Sequence, residues 1–149
     1  MAHWRLFYHL VWSTRDREPF LSTQVAVETV GRSFVVICND LHVIVHAIGI
    51  MPDHIHLACS IPPSLSIADA VKRLKGASSH RLNQVAFGGD TIFAWQAEYG
   101  VYSFTERVLP EVVAYVPNQE SRHAAANLWS GYEQMRSLGT TKDHARRGN

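Results

Sequence analysis

Residues 41–60 read LHVIVHAIGI-MPD-HIHLACS. Leu41 to Ile50 is a run of aliphatic and β-branched residues and predicts a strand. Met51, Pro52 and Asp53 supply a turn, and His54 to Ser60 predicts the strand that follows it. Side chains two apart on a strand share a face. His54 and His56 therefore look one way, and Ile55, Leu57 and Cys59 look the other way, into a core.

Working outward, Arg5 to Thr14 (RLFYHLVWST) is rich in aromatic and β-branched residues and predicts a buried strand, followed by the loop DREPF. From about Ser22 to Asp40 the spacing of Val25, Val27, Val30, Phe34 and Ile37 predicts a helix. After the histidine strand comes the loop IPPSL. Ser66 and Asp69 then form a capping box before a helix over about Ile67 to Asn83, with Ile67, Ala70, Val71 and Leu74 on its apolar face. FGGD is a loop, and Trp95 to Thr105 holds one or two short strands around Gly100. A last helical region covers roughly Glu106 to Ala126, with a further short helix after it. The order β-α-β-β-α-β-α predicts an α+β fold, a ferredoxin-like or RRM-like sandwich. Its sheet is mostly antiparallel, its helices lie on one face, and a C-terminal helix is added. Residues 1–137 are expected to form one domain, and the polar, basic stretch 138–149 a flexible tail.

The bulk numbers fit a globular protein: 46% hydrophobic and 18% charged residues over 149 positions. Cys38 and Cys59 make no CxxC or other metal-ligand spacing and read as reduced, buried thiols. Arg5 and His9 interrupt the first apolar stretch, so no signal peptide is expected; no run is long enough for a membrane helix, and a cytoplasmic protein is expected. The net charge of +1 offers little general attraction for nucleic acid, so charge must be read locally.

Two imidazoles side by side on a sheet form a bidentate platform for a divalent metal. A bare HxH also occurs as two satisfied surface histidines. Several metallohydrolases begin with HxH, but the HxHxDH extension is absent here, because Leu57 and Ala58 follow. Further on stands Tyr115-Val116-Pro117-Asn118-Gln119. On a helix, Tyr115 and Gln119 share a face. A phenol attacking a phosphodiester keeps the bond energy in a phosphotyrosine, so strands can be rejoined without ATP. The alternative is an amphipathic-helix tyrosine with its ring in the core and its hydroxyl at the rim.

Together these residues resemble the HUH single-tyrosine transposases, which include the REP-associated tyrosine transposases and small insertion-sequence transposases. Four blocks match in order over about residues 4–123: FYHLVWSTRDREPF, MPDHIHL, SIADAVKRLKGASSHRLN, and WQAEYGVYSF followed by YVPNQ. The resemblance implies that His54 and His56 bind the metal, that Gln119 is a further ligand, and that Tyr115 is the nucleophile. It implies Mg²⁺ or Mn²⁺ as cofactor and single-stranded DNA with hairpins as substrate. It also implies a homodimer, in which the tyrosine helix of one subunit can complete the site of the other. Tyr99 and Tyr102 become structural or DNA-stacking residues. One departure is Pro117, between Tyr115 and Gln119, where a helix-interior proline removes a hydrogen bond and bends the helix. Pro110 is acceptable if the helix starts there.

The helix after the HUH strand carries Lys72, Arg73, Lys75 and Arg81. These suit DNA phosphates, or form a solvated face. Trp95 suits base stacking, or a place in the core. The resemblance thus implies a transposase that cuts and rejoins single-stranded DNA through a 5′-phosphotyrosine. Its rivals are a hairpin-binding relative that does not cut and an unrelated HxH metallohydrolase.

Overall fold

The structure, a computed structural model, describes residues 3–117. Gln119, the second half of the Glu106–Ala126 region, the short helix after it, and the boundary and tail expected at 137 and 138–149 lie outside the described residues. The elements are β1 (Tyr8–Ser13), α1 (Gln24–Asp40), β2 (Ile44–Ile50), β3 (His54–Ser60), α2 (Ile67–Val85), β4 (Gly100–Ser103) and α3 (Leu109–Tyr115). Single 3-10 turns cover Arg15–Arg17 and Glu106–Val108.

The sheet order is β2-β3-β1-β4, and every neighbouring pair is antiparallel. β3 lies between β2 and β1, and β1 between β3 and β4, so two β-α-β halves interleave. This is the α+β arrangement that the order of elements predicted. Met51 N–H donates to the His54 carbonyl at 2.8 Å and closes the β2–β3 turn.

Both long helices start and stop for local reasons. The Thr23 hydroxyl accepts from Ala26 N–H at 3.1 Å, capping α1. At the far end His42 takes a left-handed conformation, φ 57°. Val43 N–H reaches back to the Cys38 carbonyl and His42 N–H to that of Asn39, a Schellman stop in which His42 stands where glycine is usual. The Ser66 hydroxyl accepts from Asp69 N–H at 3.0 Å, as the capping box predicted.

Helix α1 buries Ala26, Thr29, Val30, Phe34 and Cys38, whereas Val25, Val35 and Val36 are exposed. Of the predicted spacing, Val30 and Phe34 lie on the inner face and Ile37 packs against it, whereas Val25 faces outward. Helix α2 buries Ala70, Val71, Leu74, Ser78 and Leu82. These two faces close on Leu10 and Trp12 of β1 and on Ile55, Leu57 and Cys59 of β3 to form the main core. Phe93 and Trp95 complete it, with their rings edge-on at 4.8 Å.

The opposite face of the sheet has its own, smaller buried layer. Val11, Ala47, Ala58, Val112, Tyr115 and Val116 are buried but stand apart from the main core. Helix α3 reaches this face. Pro110 sits in its first turn, where a missing N–H costs nothing. The helix ends at Tyr115, and Val116 N–H still donates to the Val112 carbonyl at 3.0 Å. Pro117 therefore follows the helical end rather than interrupting α3.

What lets α3 come this close is Gly49. A Cβ at that position would stand 1.9 Å from the Val116 carbonyl oxygen. No side chain fits there, and the obstacle is backbone, which cannot rotate away. Among the described residues no helix is long and apolar enough to cross a membrane.

Two expected outcomes follow from this packing. Burial pushes the Cys38 thiol up to about 11, and pushes that of Cys59 higher still, with Cys38 itself adding to the rise. Both remain protonated at pH 8, and the thiolate is the reactive form. DTNB at pH 8 should label neither cysteine in the native protein and both after addition of guanidinium. Gly49→Ala should lower stability by about 1–3 kcal/mol, as overpacking does. A urea midpoint equal to that of the parent protein would contradict the seating of α3.

Candidate active site

His54 and His56 share the sheet face opposite the main core, while Ile55, Leu57 and Cys59 are fully buried on the other side. Cys59 therefore cannot join the histidines as a ligand. The two imidazole rings lie 5.1 Å apart and are inclined by 69°.

Each ring is held from behind. His54 Nδ1–H donates to Asp53 Oδ1 at 2.6 Å. An ionised carboxylate can only accept, so this contact fixes which nitrogen of His54 carries a proton. Asp53 Oδ2 in turn accepts from Arg17 Nε at 3.1 Å. Partial burial works to raise the Asp53 carboxyl, but the His54 hydrogen bond and the Arg17 charge outweigh it. They hold the group below the usual carboxylate range. The pair with Arg17 is largely exposed and contributes little to stability; its effect is to aim the carboxylate.

The backbone supports the same alignment. Thr14 N–H donates to the Asp53 carbonyl at 2.9 Å, and Leu21 N–H to the Pro52 carbonyl at 2.9 Å. Asp16 and Arg17 both have φ 54°, a left-handed region unfavourable for residues with a Cβ. The loop accepts that strain at the two residues that bring Arg17 round to Asp53.

Behind His56 stands His9 of β1. His9 Nε2 and His56 Nδ1 are 2.8 Å apart, and the rings stack at 5.0 Å. His9 is buried. With Nδ1 of both ligand candidates engaged, Nε2 is the nitrogen each has to offer a cation. That donor set fits a divalent metal. Among the described residues no group of three or more His, Cys, Asp or Glu gathers around one point. Gln119, expected as a further ligand, lies outside the described residues.

Tyr115 reaches this face through α3. The Val116 carbonyl rests over Gly49, and Gly49 is the cross-strand partner of His56. The end of the tyrosine helix thus stands above the strand position beside the second histidine. Tyr115 itself is 5% exposed. Tyr102 lies opposite His9 in the sheet register, with the rings 6.4 Å apart. Tyr99 is exposed, and its ring lies under the Lys75 ammonium at 5.7 Å.

The residues expected to contact DNA do not form one set. Lys72, Arg73 and Arg81 are exposed on α2, which packs on the sheet face away from the histidines. The Lys75 ammonium turns inward instead. It donates to the carbonyls of Gln96, Ala97 and Glu98 at 2.7, 3.2 and 3.0 Å and lies over the Trp12 ring at 5.8 Å. Desolvation holds its pKa down. The expectation of a phosphate contact is corrected for this residue: its three donors already serve backbone carbonyls. Trp95 also needs correction. Its ring is buried between Phe93 and Trp12, and its Nε1–H donates to the Ser78 hydroxyl at 2.9 Å. A ring enclosed this way has no face for a base.

Between the C-terminal half of α2 and residues 89–97 runs an open groove of about 790 Å³, with Ser79, His80, Asn83 and Gln84 on its helical side. Asn83 is bound to the far wall. Its Oδ1 accepts from Ile92 and Phe93 N–H, and its Nδ2 donates to the Phe93 carbonyl. Sequence reasoning missed His9, Asp53 and Arg17, which stand behind the histidine pair. For Asp53 the available signal was its place directly before the histidine pair.

Comparison with known proteins accords with this geometry. A family model described as "Transposase IS200 like" matches residues 2–119. The ISDra2 transposase TnpA of Deinococcus radiodurans is 31% identical over 128 residues, covering 80% of this chain and 87% of that protein. Among solved structures, a Deinococcus radiodurans protein designated a transposase superposes with a TM-score of 0.59. It is 30% identical, over 79% of this chain and 93% of that one. A REP-associated tyrosine transposase bound to a REP hairpin gives 0.57 at 16% identity, over 78% and 70% of the two chains, and supports the fold. The chain belongs to the IS200-like transposases.

Proposed function

We propose that this transposase cuts and rejoins single-stranded DNA through a covalent tyrosine intermediate, with Tyr115 as the nucleophile. The observation that carries the reading is a meeting on one sheet face. His54 and His56 stand there with their Nδ1 atoms engaged, and the end of α3, the helix that carries Tyr115, lies over the same face with the Val116 carbonyl against Gly49. His54 and His56, with Gln119, would hold a divalent cation, Mg²⁺ or Mn²⁺. A cation so held would supply charge neutralisation and orientation at the scissile phosphate.

The chain's own groups then act as follows. The Tyr115 oxygen attacks phosphorus in line. A P–O bond to tyrosine forms, and the bond to the 3′ oxygen breaks. The phenol's proton ends, in net terms, on the departing 3′-OH. A 3′-OH from a second strand reverses the step, expels Tyr115 and restores a phosphodiester. No ATP is consumed, because bond energy is conserved in the 5′-phosphotyrosine. A free phenol ionises near pH 10, so the attack depends on the charge neutralisation beside it.

For substrate we propose single strands carrying hairpins. The REP-associated relative of the same fold is described as bound to a REP hairpin. Lys72, Arg73 and Arg81 are the exposed cations on α2 for phosphate contact. We propose a homodimer as the working form, in line with the family resemblance.

The test is a denaturing gel with end-labelled hairpin oligonucleotides. With Mg²⁺ or Mn²⁺ the protein should form a covalent DNA adduct that EDTA abolishes. Tyr115→Phe should lose the adduct entirely while binding the hairpin within about twofold of wild type, since one buried hydroxyl adds little to a phosphate-dominated interface. An adduct that survives Tyr115→Phe would remove the nucleophile assignment. Hairpin binding without any adduct, and indifferent to metal, would favour the non-cutting relative instead.

A further inference from the structure

We propose that His9 is a positioning residue for His56: it accepts a hydrogen bond from His56 Nδ1–H and so holds Nε2 of His56 toward the cation. The inference rests on the metal-holding role proposed above for His54 and His56.

Two ring nitrogens 2.8 Å apart share one proton, so one donates and the other accepts. The direction decides the chemistry. If His9 donated, His56 would carry its own proton on Nε2, and that atom could not ligate without losing it. If His9 accepts, His56 is protonated at Nδ1 and Nε2 keeps its lone pair for a metal. The neighbouring histidine already has this form. His54 faces a carboxylate that can only accept, so its proton lies on Nδ1. Two different acceptors, Asp53 and His9, then give the two ligands the same ring form. A metal chelated by both histidines needs that match.

The sheet supplies the alignment. His9 pairs with Ala58 and Val11 pairs with His56 in the β1–β3 register, so His9 and His56 are diagonal neighbours on one face. Their rings stack at 27° and His9 is buried, which limits ring rotation. Tyr102 of β4 flanks His9 on its other side in the register. His9 lies too deep to be a ligand on the open side of His56, and it acts through His56.

The experiment uses full-length protein with ¹⁵N-labelled histidine, free of metal and DNA. Long-range ¹H–¹⁵N correlation should show His56 in the Nδ1–H form. Mn²⁺ titration followed by electron paramagnetic resonance gives the Kd. His9→Phe fills the site without an acceptor. It should move His56 toward the Nε2–H form and weaken Mn²⁺ binding by about 10-fold or more, the usual effect of losing such a partner. His9→Gln, whose amide oxygen reaches about the position of Nε2, should restore both readings. A wild-type His56 in the Nε2–H form would overturn the proposal. So would a folded His9→Phe protein that binds Mn²⁺ as tightly as wild type. A protein with both His54→Ala and His56→Ala separates the two levels. If it binds Mn²⁺ normally, the metal reading fails and this proposal with it. If it loses Mn²⁺ while His9→Phe keeps it, only the positioning role falls.

Discussion

A strand repeats every two residues, and β3 uses that repeat for two purposes at once. Its odd-numbered positions, Ile55, Leu57 and Cys59, are sealed in the main core. Its even-numbered positions present His54 and His56 to the other face. Nothing can shift this strand by one residue without burying imidazole and exposing the core's aliphatic side chains. The packing energy of the core therefore fixes the direction of the site. β3 is also an inner strand, paired on both sides, so the histidines stand on a part of the sheet that frays least.

The other parts of the site are delivered by topology. The order β2-β3-β1-β4 puts β1 directly beside β3, which brings His9 to His56 across 47 residues of sequence. The loop leaving β1 then carries Arg17 to Asp53, 36 residues away. The fold uses a carboxylate behind one histidine and an imidazole behind the other. Helix α2 takes the reverse side of the sheet, and Lys75 ties it to residues 96–98 just before β4.

Local signals made much of this legible. The strand alternation, the Ser66–Asp69 cap, the tolerance for Pro110 in a first turn and the order of elements each depend on residues a few positions apart. Those readings agree with the structure. Trp95 and Lys75 were harder to read because their environments come from distant segments. Ser78, 17 residues from Trp95, receives its indole N–H, and the carbonyls that hold Lys75 lie 21 to 23 residues away. An aromatic and a lysine on a basic helix look available for DNA until the chain closes around them. The inner face of α1 was legible in part: Val30 and Phe34 were in the predicted spacing, but Val25 turned out to be exposed and only packing selects Ala26.

Gly49 has a consequence for anyone who would move this site elsewhere. Ferredoxin-like sheets are common scaffolds, and two histidines on a central strand are simple to graft. The tyrosine helix is not, because its terminal carbonyl occupies the volume that any other residue at the position beside His56 would fill. A recipient sheet with even an alanine there would keep the histidine pair yet hold the helix off by the width of a methyl group. The tolerance of the whole arrangement is thus one hydrogen atom on a backbone carbon, located on a strand that carries neither the histidine pair nor Tyr115.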